Sequence, residues 1–302
     1  MLTELNLYQL GTDMQKRQTH ASPSFPCSAY YTNWSRQGLS GTPWHWHEDI
    51  EFLFVKEGSV LFRCGGMESV LAAGDGLYVN RKGLHRIEMA GENECRVRSI
   101  LCDARLLGGT PGTAVDRKYI HPLTGNRAFA GMALYSKDPE HSVILSHASA
   151  AHEACAVETE GYELEARYHL SKALFLIGQL SRTAGRKKKE EGVREERIRL
   201  MLDHIHENYA QPLTLSDLSD AAGICEREVQ RCFRTALGTS AMQYLQQYRI
   251  RTAAQMLLDS DDSVLQIGIS CGFSNPSHFS KVFHEVMGCT PHTFRQQNTA
   301  VS

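Results

Sequence analysis

Between Glu226 and Leu237 the apolar positions Val229, Cys232, Phe233, Ala236 and Leu237 recur at helical spacing, while Arg227, Gln230, Arg231 and Arg234 fall on the other side. This predicts an amphipathic helix with one face for a core and one left over for a partner. The arrangement returns over Pro276–Met287: Phe279, Val282, Phe283, Val286 and Met287 share the core side, and Ser277, His278, Ser280, Lys281 and His284 point outward. Phe233 and Gly238 recur as Phe283 and Gly288, and Ser240 and Tyr244 as Thr290 and Phe294. The two helices therefore belong to a tandem repeat.

The punctuation between them is that of helix ends. Thr214 with Asp217, Ser240 with Gln243 and Ser263 with Gln266 are capping patterns, in which side chains satisfy backbone N–H groups that lack a helical partner. Asn275-Pro276 and Thr290-Pro291 put proline at the first helical position, where its missing donor costs nothing. Gly223, Gly238, Gly272 and Gly288 stand where helices close. A long helix, a turn, a short helix, a turn and a second helix, met twice, is the helix-turn-helix plan for placing one helix in a major groove. Arginine bonds guanine bidentately, glutamine does so with adenine, and lysine or serine serves bases or phosphates.

The pattern A-x-x-L-L, I-x-x-x-G-F-S, S-x-F-x-x-x-F and G-x-T-P-x-x-x-R is carried by Ala254, Leu257, Leu258, Ile267, Gly272, Phe273, Ser274, Ser277, Phe279, Phe283, Gly288, Thr290, Pro291 and Arg295. It resembles the signature of the AraC-type (arabinose-regulator) transcription factors. The resemblance implies a DNA-binding region of seven helices from Val193 to about Gln297. It maps base-reading positions onto Arg227, Gln230 and Arg231 in the first unit, and onto Pro276, Ser277, His278 and Lys281 in the second. Two departures stand out: Gly268 replaces the family's usual alanine, and His284 a common lysine or arginine. Proline cannot donate, so the second unit is expected to read fewer bases and to lean on shape and phosphates.

The helix between the units, Ala241 to Leu258, should span about 25 Å at 1.5 Å per residue. That suits two recognition helices about one turn of DNA, about 34 Å, apart. From Val193 to Ser302 there are ten Lys/Arg against twelve Asp/Glu, a net of −2. Sequence-independent affinity for phosphates should therefore be modest, and local charge must do the work.

Upstream the period changes from helical to alternating. Residues 25–105 hold short β-prone runs separated by Glu57-Gly58, Gly65-Gly66 and Gly74-Asp75-Gly76, which favours a sandwich or closed barrel. PWHWHEDIEFLFVKEG and AGDGLYVNRKGLHR resemble the two cupin motifs, with His45, His47, Glu51 and His85 in the ligand positions and Asn80 and Arg81 near the place of a usual proline. His45, His47 and Glu51 share strand parity. Three imidazoles and a carboxylate converging in a barrel suit a divalent transition metal such as Zn, Fe, Mn or Ni. The alternatives are direct hydrogen bonding to an effector, or to one another. Trp44, Trp46, Tyr78 and Arg86 are further candidates for an effector pocket.

Between these regions, Leu170, Ala173, Leu174, Ile177 and Leu180 make one helical stripe. It either packs on the barrel or, as the resemblance implies, forms a dimer seam. The charge block AGRKKKEEG, 184–192, reads as a solvated linker.

The chain's 302 residues, 42% of them hydrophobic, are expected to make more than one domain. We expect a cupin-like sensing domain over 1–140, a helical connector and linker over 141–192, and an all-α double helix-turn-helix domain over 193–302. Nine scattered cysteines without a C-x-x-C pair indicate neither a disulfide framework nor a zinc finger. No twenty-residue apolar run or secretory leader is evident, so a cytoplasmic protein that does not engage the membrane is expected. The reading is a DNA-binding transcription regulator, not an enzyme, modulated by a small molecule in the cupin. Double-stranded DNA, a second copy of the chain and, for an activator, RNA polymerase are its expected partners. The alternative is a metal-dependent cupin isomerase or dioxygenase with an autoregulatory DNA-binding tail.

Overall fold

The computed structural model describes residues 3–4, 24–35, 40–183 and 189–299. The chain divides between Val193 and Arg194 into two compact units.

The first unit opens with strands β1 (Thr3–Glu4), β2 (Cys27–Trp34), β3 (Gly41–His45), β4 (Ile50–Glu57) and β5 (Ser59–Cys64). These are followed by β6 (Met67–Ala72), β7 (Gly76–Val79), β8 (His85–Met89) and β9 (Cys95–Cys102). A short α1 (Arg105–Gly108), a π-helical turn (Asp116–Ile120) and α2 (His121–Thr124) lead to β10 (Gly131–Leu134) and the long helices α3 (Pro139–Val157) and α4 (Tyr162–Thr183). The strands form two sheets, ordered β1-β2-β9-β4-β7-β10 and β3-β8-β5-β6.

Alternation sorts each strand into two faces. Trp34, Leu53, Val55, Val60, Phe62, Leu77, Val79, Ile87 and Val97 meet in the interior of the β-structure. Cys27, Ala29, Ile50, Phe52, Phe54, Tyr78 and Ile100 form the other face of the six-stranded sheet and pack beneath Ile144, Leu145 and Ala148 of α3 and Leu170, Leu174 and Ile177 of α4. Because both of its faces are covered, Ile50–Val55 is buried without a break and apolar except for Glu51, whereas β5 alternates buried with half-buried positions. The stripe on α4 thus lies against this core, with Leu170, Ala173, Leu174 and Ile177 fully buried and Leu180 packed at its edge.

The second unit is all helix: α5 (Lys189–Asn208), α6 (Leu215–Ala222), α7 (Glu226–Leu237), α8 (Ala241–Asp259), α9 (Val264–Ser270), α10 (Pro276–Met287) and α11 (Pro291–Thr299). Of the expected linker, 184–188 lie outside the described residues and 189–192 open α5. Capping boxes form at Thr214/Asp217, Ser240/Gln243 and Ser263/Gln266. Asn275 Oδ1 accepts from the N–H groups of Ser277 and His278 at 2.9 and 3.2 Å. α7 and α10 end in left-handed glycines, Gly238 and Gly288. Arg295 donates to the carbonyls of Leu257, Ser260 and Asp262, closing the end of α8. No described helix is long and apolar enough to cross a membrane.

Candidate functional site

Two features of the chain offer chemistry, one in each unit. In the second unit, α7 buries Val229, Cys232, Phe233 and Leu237, which leaves Arg227, Arg231 and Arg234 exposed and Gln230 half-buried. α10 buries Phe279, Val282 and Phe283 and leaves Ser277, His278 and Lys281 exposed. These faces are not uniformly cationic. Arg231 Nη2 lies 2.6 Å from Glu228 Oε1, and Arg197 approaches the same oxygen at 3.8 Å. The Arg231 guanidinium beside it holds the Glu228 carboxyl below the usual carboxylate range. Lys281 lies 3.9 Å from Glu285.

In the first unit, β3, the connection after it, β4 and β8 bring His45, His47, Glu51 and His85 together, all buried, with one ligand atom from each lying within 4.8 Å of every other. His47 Nε2 is 3.1 Å from Glu51 Oε2, and His85 Nε2 is 3.4 Å from the same oxygen. The rings of His45 and His85, cross-strand partners, sit 4.0 Å apart between centroids. Each imidazole is oriented from behind: Nδ1 of His45, His47 and His85 lies 2.8 Å from the carbonyls of Pro43, Asp49 and Gly83. A carbonyl only accepts, so each Nδ1 carries the proton, and a neutral ring then turns its Nε2 lone pair inward. That is how proteins orient metal-binding histidines. The 3.1 Å hydrogen bond between His47 Nε2 and Glu51 needs one further proton shared by that pair. Burial keeps the His85 imidazole below its ordinary pKa, against the pull of Glu51, and its buried Nε2 has Glu51 Oε2 at 3.4 Å but no well-aligned hydrogen bond. An inward-facing imidazole nitrogen without a well-formed bond and an N3O donor set within one coordination sphere fit a divalent transition metal.

Three predicted pocket residues lie elsewhere. Arg86 follows His85 on β8 and so points to the opposite face, where its guanidinium pairs with Glu88. Trp46, between His45 and His47, takes the Lys82 ammonium 6.0 Å from its ring centroid. Strand alternation places neither with the tetrad. Tyr78 is likewise turned to the helix-covered face, its ring 5.1 Å from Phe52 and its hydroxyl donating to Asn80 at 3.0 Å.

Residues that sequence reasoning passed over take their place. On β2, Cys27 and Ala29 face the helices, so Ser28, Tyr30 and Thr32 face the interior with Trp34. Ser99 pairs with both Tyr30 and Leu53, and Leu101 with both Ser28 and Glu51, so a row of hydroxyls runs beside the tetrad. All are buried. Burial pushes the Tyr30 phenol above its ordinary pKa, with the charges of Asp49 and Glu51 adding to it. The signal was present in the polar alternation of Cys27–Trp34, once the inward parity is known.

A tandem pair of helices, each with one face buried and one exposed, joined in one chain to a β-domain with a buried polar site, defines a DNA-binding regulator with a ligand-binding domain. Comparison with known proteins gives the same division. Residues 35–176 match the AraC-like ligand binding domain, and residues 218–297 match a helix-turn-helix domain. The HTH-type transcriptional regulator YdeC of Bacillus subtilis is 24% identical over 97% of this chain and 99% of its own. The transcriptional activator RhaS of Klebsiella pneumoniae is 22% identical over 87% of this chain and 90% of its own. The crystal structure of ToxT from Vibrio cholerae O395 aligns with 92% of this chain and 99% of its own, at 11% identity and a TM-score of 0.49. The chain belongs to the AraC-type transcription regulators.

Proposed function

We propose that this regulator reads two successive major grooves, with Arg227, Gln230, Arg231 and Arg234 of α7 in one and Ser277, His278 and Lys281 of α10 in the other. The observation that carries this reading is the exposure of both helix faces above buried apolar stripes. Pro276, at the first position of α10, has no N–H to offer a phosphate, so the second unit contacts DNA through side chains. The relatives that match most of the chain are named as regulators, which supports a sensing rather than catalytic role for the β-domain. The working protein is a cytoplasmic homodimer, with RNA polymerase as its further partner where it activates. Its dimer seam does not use the buried stripe of α4; Leu164 and Tyr168, exposed on the same helix, are free to contribute.

The effector occupies the interior beside His45, His47, Glu51 and His85, against the hydroxyls of Ser28, Tyr30 and Ser99. The four tetrad residues would hold a divalent transition metal, which when bound supplies a Lewis-acidic anchor for an oxygen-bearing ligand. The tetrad is also the observation that favours a cupin enzyme, and turnover by metal-loaded protein would establish that alternative.

Selection of genomic DNA fragments by the full-length chain, beside the Arg231→Ala, Lys281→Ala double variant, tests the DNA reading. Enrichment of a few sites that the variant loses is expected. Equal enrichment by both proteins would remove these faces from the interface.

A further inference from the structure

α8 alone cannot hold two recognition helices in register. It sets their separation, but each unit is joined to it through a turn, Gly238–Ser240 at one end and Ser260–Ser263 at the other, and could rotate about that joint. One side chain bridges both units. Arg249, midway along α8, donates from Nε to the Tyr209 carbonyl at 2.7 Å and from Nη2 to the Gln211 carbonyl at 2.8 Å. These carbonyls lie in the turn that leaves α5 and enters α6, where a cation finds carbonyl oxygens without helical partners. The same guanidinium lies 5.9 Å from the ring centroid of Phe273, in the turn between α9 and α10. One planar group therefore contacts the entry turn of the first helix-turn-helix and the inner turn of the second.

The two turns also touch directly. A Cβ added at Gly272, whose φ is +83°, would fall 2.9 Å from the carbonyl oxygens of Tyr209 and Ala210 and 3.0 Å from Arg249 Cζ. No space remains for a side chain, and the backbone there is one that glycine adopts most readily. Tyr209 packs edge-on against Tyr248, the residue preceding Arg249, with ring centroids 5.2 Å apart. Lysine is a poor replacement for the guanidinium, because an ammonium on a flexible stem lacks the rigid planar fork that serves two carbonyls while lying near the Phe273 ring.

We propose that Arg249 is the positioning residue that fixes the two helix-turn-helix units relative to one another, and so sets the spacing that the protein demands between its two DNA subsites. This rests on the two-groove reading above. Arg249 touches no base; it acts through the turns that carry α7 and α10. Its consequence is a sharp dependence of affinity on spacer length, since one added base pair moves a subsite by about 3.4 Å and turns it by about 35°.

The test begins with selection from random duplexes by the full-length wild-type chain, which defines the two subsites and their spacing. Affinity is then measured on that site and on versions with one base pair inserted or removed, for wild type, Arg249→Lys, Arg249→Met and Phe273→Leu. Wild type is expected to lose about tenfold to a hundredfold per altered spacing, and Arg249→Met about threefold or less, with Arg249→Lys not restoring the sharp profile. Thermal unfolding identifies any variant that fails to fold; Phe273→Leu, which keeps both hydrogen bonds and removes the ring, then reports in place of Arg249→Met. A profile as sharp in the variants as in wild type, or weakened equally at every spacing, would overturn the positioning role while leaving the two-groove reading intact. A wild-type selection yielding one subsite only would overturn the two-groove reading itself, and the proposal with it.

Discussion

Gly268 lies against Phe279 so closely that a methyl group at 268 would sit 2.9 Å from Cδ1 and 3.1 Å from Cγ of the ring. The glycine that departs from the family pattern is thus matched to a phenylalanine buried at the centre of the second helix-turn-helix. Alanine would add about 1 kcal/mol of helix propensity to α9. Forcing a well-packed ring aside costs about 1–3 kcal/mol, so the steric effect outweighs the propensity. Gly268→Ala should therefore lower the unfolding midpoint of the second unit, and Phe279→Leu added to it should recover part of the loss. Denaturant unfolding of the three variants decides it. A stabilised Gly268→Ala would show that α9 and α10 yield more easily than this packing implies.

The helical half was legible because its signals are local. Caps at Thr214, Ser240, Ser263 and Asn275 and stripes such as Val229–Cys232–Phe233 depend on neighbours within a turn or two, and α7 and α10 form over the anticipated spans. His45, His47 and Glu51 were grouped by strand parity, and the structure brings them together with His85. Arg86 and Trp46 were admitted by closeness along the chain, although strict parity opposes them to the very histidines they adjoin. The stripe of α4 could not reveal its partner surface, because a sheet and a second helix ask for the same apolar residues. Arg249 gave no signal at all: an arginine inside a helix looks solvated until the turns at Tyr209 and Phe273 are brought to it by the fold.

Acid should weaken the first unit through His85. Burial holds its imidazole below the ordinary histidine value, so between the two values the unfolded chain binds a proton that the folded chain does not. Stability from this residue is present above about pH 6.5 and is lost as pH falls below it. Unfolding of the metal-free full-length chain at about pH 7.5 and about pH 5.5 should show the first unit losing stability on acidification, with the loss reduced in His85→Gln. An equal loss in the variant would place the acid sensitivity elsewhere.

Asn80 should matter more to the fold than any surface charge near it. It is buried, donates from Nδ2 to the carbonyls of Leu123 and Phe129 at 2.9 Å each, and accepts from the Tyr78 hydroxyl at 3.0 Å. Asn80→Ala would strand the Tyr78 hydroxyl and the Phe129 carbonyl, while the Leu123 carbonyl keeps the Asn126 N–H at 3.0 Å. At about 1–3 kcal/mol for each buried group left without a partner, a total loss of about 2 kcal/mol or more is expected. Chemical denaturation of the first unit measures it. A loss under about 1 kcal/mol would mean that water replaces the amide.

Glu228 should restrain the affinity of α7 for DNA. Its carboxylate holds Arg231 at 2.6 Å in the free protein, and Arg231 must leave it to bond a base edge bidentately. Both partners are partly exposed, so the pair itself contributes little to stability. Its effect is on binding, as a negative charge at the reading face. Glu228→Gln is expected to tighten binding to all sequences and to steepen the dependence of log affinity on log salt by about one unit. Arg231→Ala should instead cost about 1–3 kcal/mol on the selected site and relax the preference at one base position. Salt titrations and a base-by-base substitution series on the selected duplex separate the two effects. Uniform weakening by Arg231→Ala across every sequence would make it a phosphate contact and transfer base reading on α7 to Arg227 and Gln230.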